Sequence, residues 1–200
     1  MAPAIHPTKT RLIETTAELI SERSPSELQV DEILEKSGVS KGSLYHHFED
    51  LSELLEAAQV LRYARWVDRS IGFIVPQLSA AKTRDDIIAA LARVTEYTQG
   101  PDYRGTRFER ARTLANSQTS PRFEKMLGVE QDRLTTALED LVIEAQNKQL
   151  FKPELNPRVV AVFIQSYTLG KIVDDIVPTS ITPAQWNELI GSMLECTFVL

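Results

Sequence analysis

Gly38-Val39-Ser40-Lys41-Gly42-Ser43-Leu44-Tyr45-His46-His47-Phe48 is the segment that organises the rest of the chain. Glycine takes the left-handed conformation that ends helices, so Gly38 closes a short helix running from about Val30 to Ser37. Ser40 is a good cap for a second short helix through Ser43, Leu44 and Tyr45, and Val39 packs inward between the two. Two short helices around a glycine turn read as a helix-turn-helix, whose second helix enters the major groove while the first crosses the backbone. Ser40, Lys41, Ser43 and Tyr45 offer hydrogen-bond donors to phosphate oxygens. Gly42 lets the helix approach a sugar-phosphate chain with no side chain in the way, and helix N-termini attract anions.

Outward from this segment, apolar residues recur at spacings of three and four and strand signals are scarce, which predicts an all-α protein of about nine helices. Pro7-Thr8 opens the first, with Leu12, Ile13, Thr16, Leu19 and Ile20 on one stripe. A fourth helix begins near Asp50, carries Leu51, Leu54, Leu55, Ala58 and Leu61 on one face and reaches towards Arg69, with Gly72 and Pro76 expected to interrupt it. Thr83 caps a fifth with Asp85 and Asp86 in its first turn, ending by Gly100-Pro101. A further helix spans roughly Tyr103 to Asn116, and a long one follows Ser120-Pro121. Asn156-Pro157 and Thr182-Pro183 read as a cap followed by proline, opening two final helices expected over about 157–177 and 183–198. The expected division is a helix-turn-helix unit over 1–50 and a larger helical body over 51–200, linked by the helix from about 50 to 69.

Composition bounds the function. The chain has 200 residues, 42% of them hydrophobic and 25% charged, which is the range of ordinary globular domains. Its longest apolar run, Val159 to Ile164, is far short of the roughly 20 residues a membrane helix needs. Met1-Ala-Pro-Ala-Ile-His-Pro lacks the charged and apolar regions of a secretory signal, and the single cysteine, Cys196, forms no internal disulfide. A cytoplasmic protein without membrane contact is expected. The net charge of −6 speaks against a protein coated with nucleic acid, and residues 1–50 alone hold five basic groups against nine acidic ones. Any attraction to DNA is therefore confined to a narrow face carrying Lys41 and His47, with Lys9 and Arg11 as further members.

The run Gly-Val-Ser-x-Gly-x-Leu-Tyr-x-His-Phe over Gly38–Phe48, preceded by Val30 and Ile33 and followed by Leu54, resembles the tetracycline-repressor (TetR) family of bacterial transcription regulators. A weaker echo lies at Gln149–Pro157, similar to the loop before the penultimate helix in that family. The resemblance implies that Tyr45 and His47 hold phosphates, that Ser40, Lys41, Ser43 and His46 read bases or adjoining backbone, and that Gly42 permits close approach. Gln29 occupies the position where the family commonly has a Thr or Ser that caps the second helix and contacts phosphate. Leu51 replaces a common lysine, and Leu34 and Ser37 replace small alanines at the helix crossing. Gln29, Leu51 and the acidic Glu49-Asp50 pair keep a second reading open: a helical sensor or interaction module of the same fold that has lost operator binding.

Other chemistries find little support in the residues. His46 and His47 point about 100° apart on a helix and no Cys or acidic partner completes a metal site, so neither metal nor cofactor is expected. No phosphate loop, Gly-x-Ser-x-Gly turn or paired metal-binding histidine motif is present, so an enzyme is not expected. The late helices carry surplus apolar residues, including Val159, Phe163 and Ile176 and then Trp186, Leu189 and Met193, which suggests a self-complementary four-helix contact across a two-fold axis. A homodimer would place two recognition helices on a palindromic double-stranded operator. In a TetR-like protein the body encloses a small-molecule effector, for which Trp66, Tyr97, Phe108, Phe163 and Tyr167 are the aromatic candidates and Arg112 and Asn116 polar ones, beside Gln165. The expected function is a ligand-responsive regulator, a repressor released from its operator by that molecule.

Overall fold

The structure is a computed structural model, which describes residues 6–200. Among the described residues the chain is all-α: α1 (Pro7–Glu22), α2 (Val30–Ser37), α3 (Lys41–His47), α4 (Leu51–Ser79), α5 (Arg84–Gln99), α6 (Arg104–Ser117), α7 (Pro121–Asn147), α8 (Pro157–Gly170), the single turn α9 (Ile172–Asp175) and α10 (Pro183–Phe198). The one strand-like feature among them is an antiparallel bridge between Phe151 and Val199. No described helix is long and apolar enough to cross a membrane.

Two compact units divide the chain. One holds α1–α3, α4 as far as Trp66, and Ser117–Glu130; the other holds Val67–Asn116 and Gln131–Leu200. The structure thus groups Leu51–Trp66 and the start of α7 with the N-terminal helices, whereas the sequence pattern draws its line after residue 50. The first unit's core is apolar, with Leu12, Leu19, Ile33, Leu44, Phe48 and Leu54 all buried. The second builds a separate core around Ile87, Leu91, Val142, Phe151, Ile190 and Phe198.

The capping residues perform as their chemistry predicts. Ser40 accepts the Ser43 N–H at 3.2 Å, and Asn156 accepts the Val159 N–H at 3.1 Å. Thr83 and Asp86 form a reciprocal box, Asp86 N–H to Thr83 Oγ1 at 3.2 Å and Thr83 N–H to Asp86 Oδ2 at 3.0 Å. Thr182 and Gln185 form another at the start of α10. Gln29 precedes α2 without a side-chain cap bond, the shortfall expected of a glutamine there.

Two expected boundaries are corrected. α4 does not stop near Arg69 but runs through Gly72 and Pro76 to Ser79. Its buried stripe continues past Arg69 through Ser70 and Ile74, and a proline this close to the end of the helix forfeits one intrahelical hydrogen bond. Packing outweighs the local penalty. The helix expected over 157–177 instead ends at Gly170, and the chain turns through α9. There Lys171 pairs with Asp174 at 2.5 Å, and Asp174 accepts the Ile181 N–H at 3.2 Å, pinning the connection to α10.

These pairings give the second unit an acid limit. The Lys171 ammonium holds Asp174 below the usual carboxylate range, Lys148 and then Ser79 do the same for Glu144, and the Lys82 N–H with Thr83 does so for Asp86. A carboxylate whose folded pKa is depressed contributes stability that is complete above its unfolded value and lost as pH falls through the folded one. Thermal unfolding followed by circular dichroism should hold steady above pH 4.5 and weaken once pH drops below 3.8, the ordinary values for Glu144 and for the two aspartates. An unfolding midpoint unchanged well below that point would contradict these roles.

Candidate nucleic-acid interface

Gly38 adopts φ 65°, the left-handed conformation, and its N–H bonds to Leu34 O at 2.9 Å, closing α2. Ser37 is buried, with Oγ near Leu34 O at 3.4 Å and accepting the Val39 N–H at 3.3 Å, so the turn is fixed from inside. A side chain with a Cβ at Gly38 would strain this turn although it would meet no neighbour.

α3 is anchored by Leu44, fully buried, and by Phe48 just beyond its end. The 3.6-residue period then turns Ser40, Lys41, Gly42, Tyr45 and His46 outward, while Ser43 and His47 are half-buried. Tyr45 exposes 46% of its surface, which is notable for a large ring with apolar neighbours one position before and three after it. Gly42 has nothing within 4 Å of an ideal Cβ, so its face is open. Gln29 is exposed at the start of α2. The eight residues singled out in the sequence therefore lie on α3 and at the starts of α2 and α3, and their outward members share one open face of α3.

Charge is patterned as well as counted. Arg23 bonds to Glu32, Lys36 lies 3.7 Å from Glu18, and Arg65 is 3.2 Å from Glu14, so acids of the first unit are occupied by basic partners. Lys9, Arg11 and Lys41 have no carboxylate at ion-pair distance among the described residues. Lys9 holds its ammonium 4.9 Å above the Phe48 ring, beside the end of α3. Leu51 faces inward against the first unit's core, which gives it a packing role where the family commonly has lysine.

One residue is invisible to the sequence pattern. His6 caps α1, its Nδ1 accepting the Thr8 N–H at 3.2 Å, and its ring lies 4.8 Å from that of His47. No periodicity could pair residues 41 positions apart; the usable signal was that the chain has only three histidines.

The body candidates scatter. Trp66 is buried beside Tyr63 at the end of the first unit, with ring centroids 5.2 Å apart. Tyr97 is 45% exposed, stacked on Phe73 at 3.9 Å and edge-on to Tyr103 at 5.4 Å. Phe163 and Tyr167 are 5.7 Å apart on α8, and burial raises the Tyr167 pKa against an opposing hydrogen bond with Thr95. Phe108 is half-buried beneath Arg104, whereas Arg112 and Asn116 are exposed. α6 turns a different face inward, that of Arg107, Arg110, Thr113 and Ser117. Arg107 is among the most completely buried side chains: Nε and Nη2 grip both Asp175 carboxylate oxygens at 2.5 and 2.8 Å, and Nη1 donates to Thr98 O at 3.2 Å. Sequence periodicity on α6 misses this face because all four of its residues are polar, two of them arginines.

Residues 12–58 match the model of the family described as bacterial regulatory proteins, tetR family. BetI of Yersinia pestis, named an HTH-type transcriptional regulator, is 34% identical over 86 residues, 43% of this chain and 41% of BetI. The chain thus aligns with less than half the length of that relative. UidR of Escherichia coli K12, also named an HTH-type transcriptional regulator, is 22% identical over 87% of this chain and 84% of its own. The solved structure of a protein described as a TetR-family transcriptional regulator from Mesorhizobium loti superposes with a TM-score of 0.71 at 13% identity, covering 96% of this chain and 97% of that one, which establishes a common fold.

Proposed function

Because the chain belongs to the TetR family of bacterial regulatory proteins, we propose that it is a ligand-responsive transcription regulator, which binds a palindromic DNA operator as a homodimer and is released by a small molecule. The observation that carries this reading is the open face of α3. Lys41, Gly42, Tyr45 and His46 point outward from a helix held by Leu44 and Phe48 and closed off by the left-handed Gly38. Lys41 and Tyr45 contact phosphates, Gly42 admits the backbone, and Ser40, Ser43 and His46 face base edges or adjoining backbone. The reading places the protein in the cytoplasm, where bacterial DNA lies. The module that has lost operator binding gains nothing from Leu51, since a core role accounts for it.

Dimerisation is supported by exposed apolar residues on α8 and α10, among them Val159 at 65% and Leu189 at 54% exposure. Patches of this kind mark an interaction surface. Release is a population shift, in which the effector binds the operator-incompetent arrangement more tightly by a few kcal/mol, because equal binding to both arrangements shifts nothing. Among the aromatic candidates, Tyr97, with its stacked Phe73, and Phe163 are exposed, while Trp66 and Tyr167 are committed to packing.

The test is selection of duplexes from a random library by the purified full-length chain. A palindrome is expected to be enriched, and random output would overturn the reading. On the enriched duplex, Lys41→Ala should weaken binding to all sequences alike and reduce the salt dependence by about one unit for each phosphate it no longer neutralises. A drop in discrimination confined to one base pair, costing roughly 1–3 kcal/mol, would instead make Lys41 a base reader.

A further inference from the structure

All three histidines of the 200-residue chain gather at one place on the first unit. The His6 ring lies 4.8 Å from that of His47, and the His46 ring 5.0 Å from it. Lys9, from the first turn of α1, completes the group over the Phe48 ring. α1 and α3 thus bring three imidazoles and an ammonium to one end of the recognition helix. The nearest acids in sequence are engaged elsewhere: Glu49 lies 3.7 Å from Arg122, Asp50 accepts the Glu53 N–H at 2.8 Å, and Glu53 accepts the Glu49 N–H at 2.7 Å. No set of three His, Cys, Asp or Glu among the described residues is arranged to hold a metal.

Such a group is poor at carrying charge alone. Partial burial, then His6, His46 and Lys9 in that order, hold His47 below the ordinary imidazole range. The balance reverses when a permanent anion arrives, because an opposite charge within about 4–6 Å favours the protonated imidazole. A phosphodiester is such an anion, and the group borders the helix whose open face is assigned to DNA.

We propose that His6, His46 and His47, with Lys9 as the permanently charged member, form a clamp for the DNA phosphate backbone in which His6 donates its Nε2 proton and His46 and His47 take up protons as it closes. The clamp rests on the assignment of α3 to DNA and extends it to α1. Free His47 resists protonation, and a bound phosphate favours its cationic form. Affinity therefore rises as pH falls through the interval between the free and bound pKa values, by roughly tenfold per pH unit for each proton taken up. Histidine is the side chain whose ordinary charge change falls between about pH 5 and 8, and all three histidines of the chain belong to this group.

The experiment uses the full-length protein and the palindromic duplex enriched by selection. Affinity is measured by fluorescence anisotropy at fixed ionic strength across that interval, and proton uptake by calorimetry in buffers of different ionisation heat. Wild type should bind more tightly at the acid end, with net proton uptake. His46→Gln and His47→Gln should each lower the pH slope with helix content unchanged by circular dichroism, and the triple glutamine variant should lose it. Lys41→Ala should lower the salt slope and leave the pH slope in place. A wild-type affinity independent of pH with no proton uptake would overturn the clamp while leaving operator binding intact, as would a slope that survives in the triple variant. Failure to bind any duplex at any pH would overturn the assignment of α3 to DNA, and the clamp with it.

Discussion

Arg107→Ala should destabilise the second unit by about 3–5 kcal/mol, the cost of leaving a buried carboxylate without its partner. Only 2% of the Arg107 side chain and 8% of the Asp175 side chain is exposed, so water cannot replace the missing guanidinium. The arginine holds both Asp175 oxygens and also reaches the Thr98 and Gly100 carbonyls, at 3.2 and 3.5 Å, where the C-terminal end of α5 presents its partial negative charge. Three segments, α5, α6 and α9, come untied at once. Urea unfolding followed by circular dichroism measures the effect. The double variant Arg107→Met with Asp175→Leu should recover most of the stability, because apolar replacement of a whole buried pair is often neutral or stabilising. A single-variant cost below about 1 kcal/mol, typical of solvated pairs, would show that the pair is open to water.

The second large effect concerns assembly. Val159→Arg and Leu189→Arg put charges on the exposed apolar faces of α8 and α10 without touching either core, so the folded subunit should survive. Sedimentation should report a dimer for the wild type and monomers for both variants. Affinity for the palindrome should fall by at least roughly a hundredfold, since linking two binding modules raises avidity by about 10²–10⁴ over one. Dimers of unchanged DNA affinity in both variants would place the two-fold contact on another surface.

The sequence was legible wherever a short-range rule acts alone. Gly38, Ser40, Thr83, Asn156 and Thr182 ended or began helices as their backbone and side-chain chemistry requires. Leu44 on α3 and Phe48 just beyond its end, four residues apart, are buried, which turns Tyr45 and His46 outward. Legibility failed where a distant contact outweighed a local preference. α4 passes Pro76 because Ser70 and Ile74 continue its buried stripe. α6 hides Arg107 and Arg110, residues any apolar pattern assigns to the outside, because the Asp175 carboxylate meets Arg107 from 68 positions away. Arg112, a polar candidate of the sequence reading, is exposed. The meeting of His6 with His47 is of the same kind, a product of chain folding that no local pattern encodes.

The division of the chain into two compact units has an optical consequence. Of the two tryptophans, Trp66 lies in the first unit, buried against Tyr63, and Trp186 in the second, its indole N–H donating to Gln99 at 3.2 Å with the Lys171 ammonium 5.7 Å from its ring. Each unit therefore carries its own intrinsic fluorophore in a distinct surrounding. Trp66→Phe and Trp186→Phe single-tryptophan proteins follow the melting of one unit at a time, and two coincident emission transitions would mark the two units as one cooperative whole.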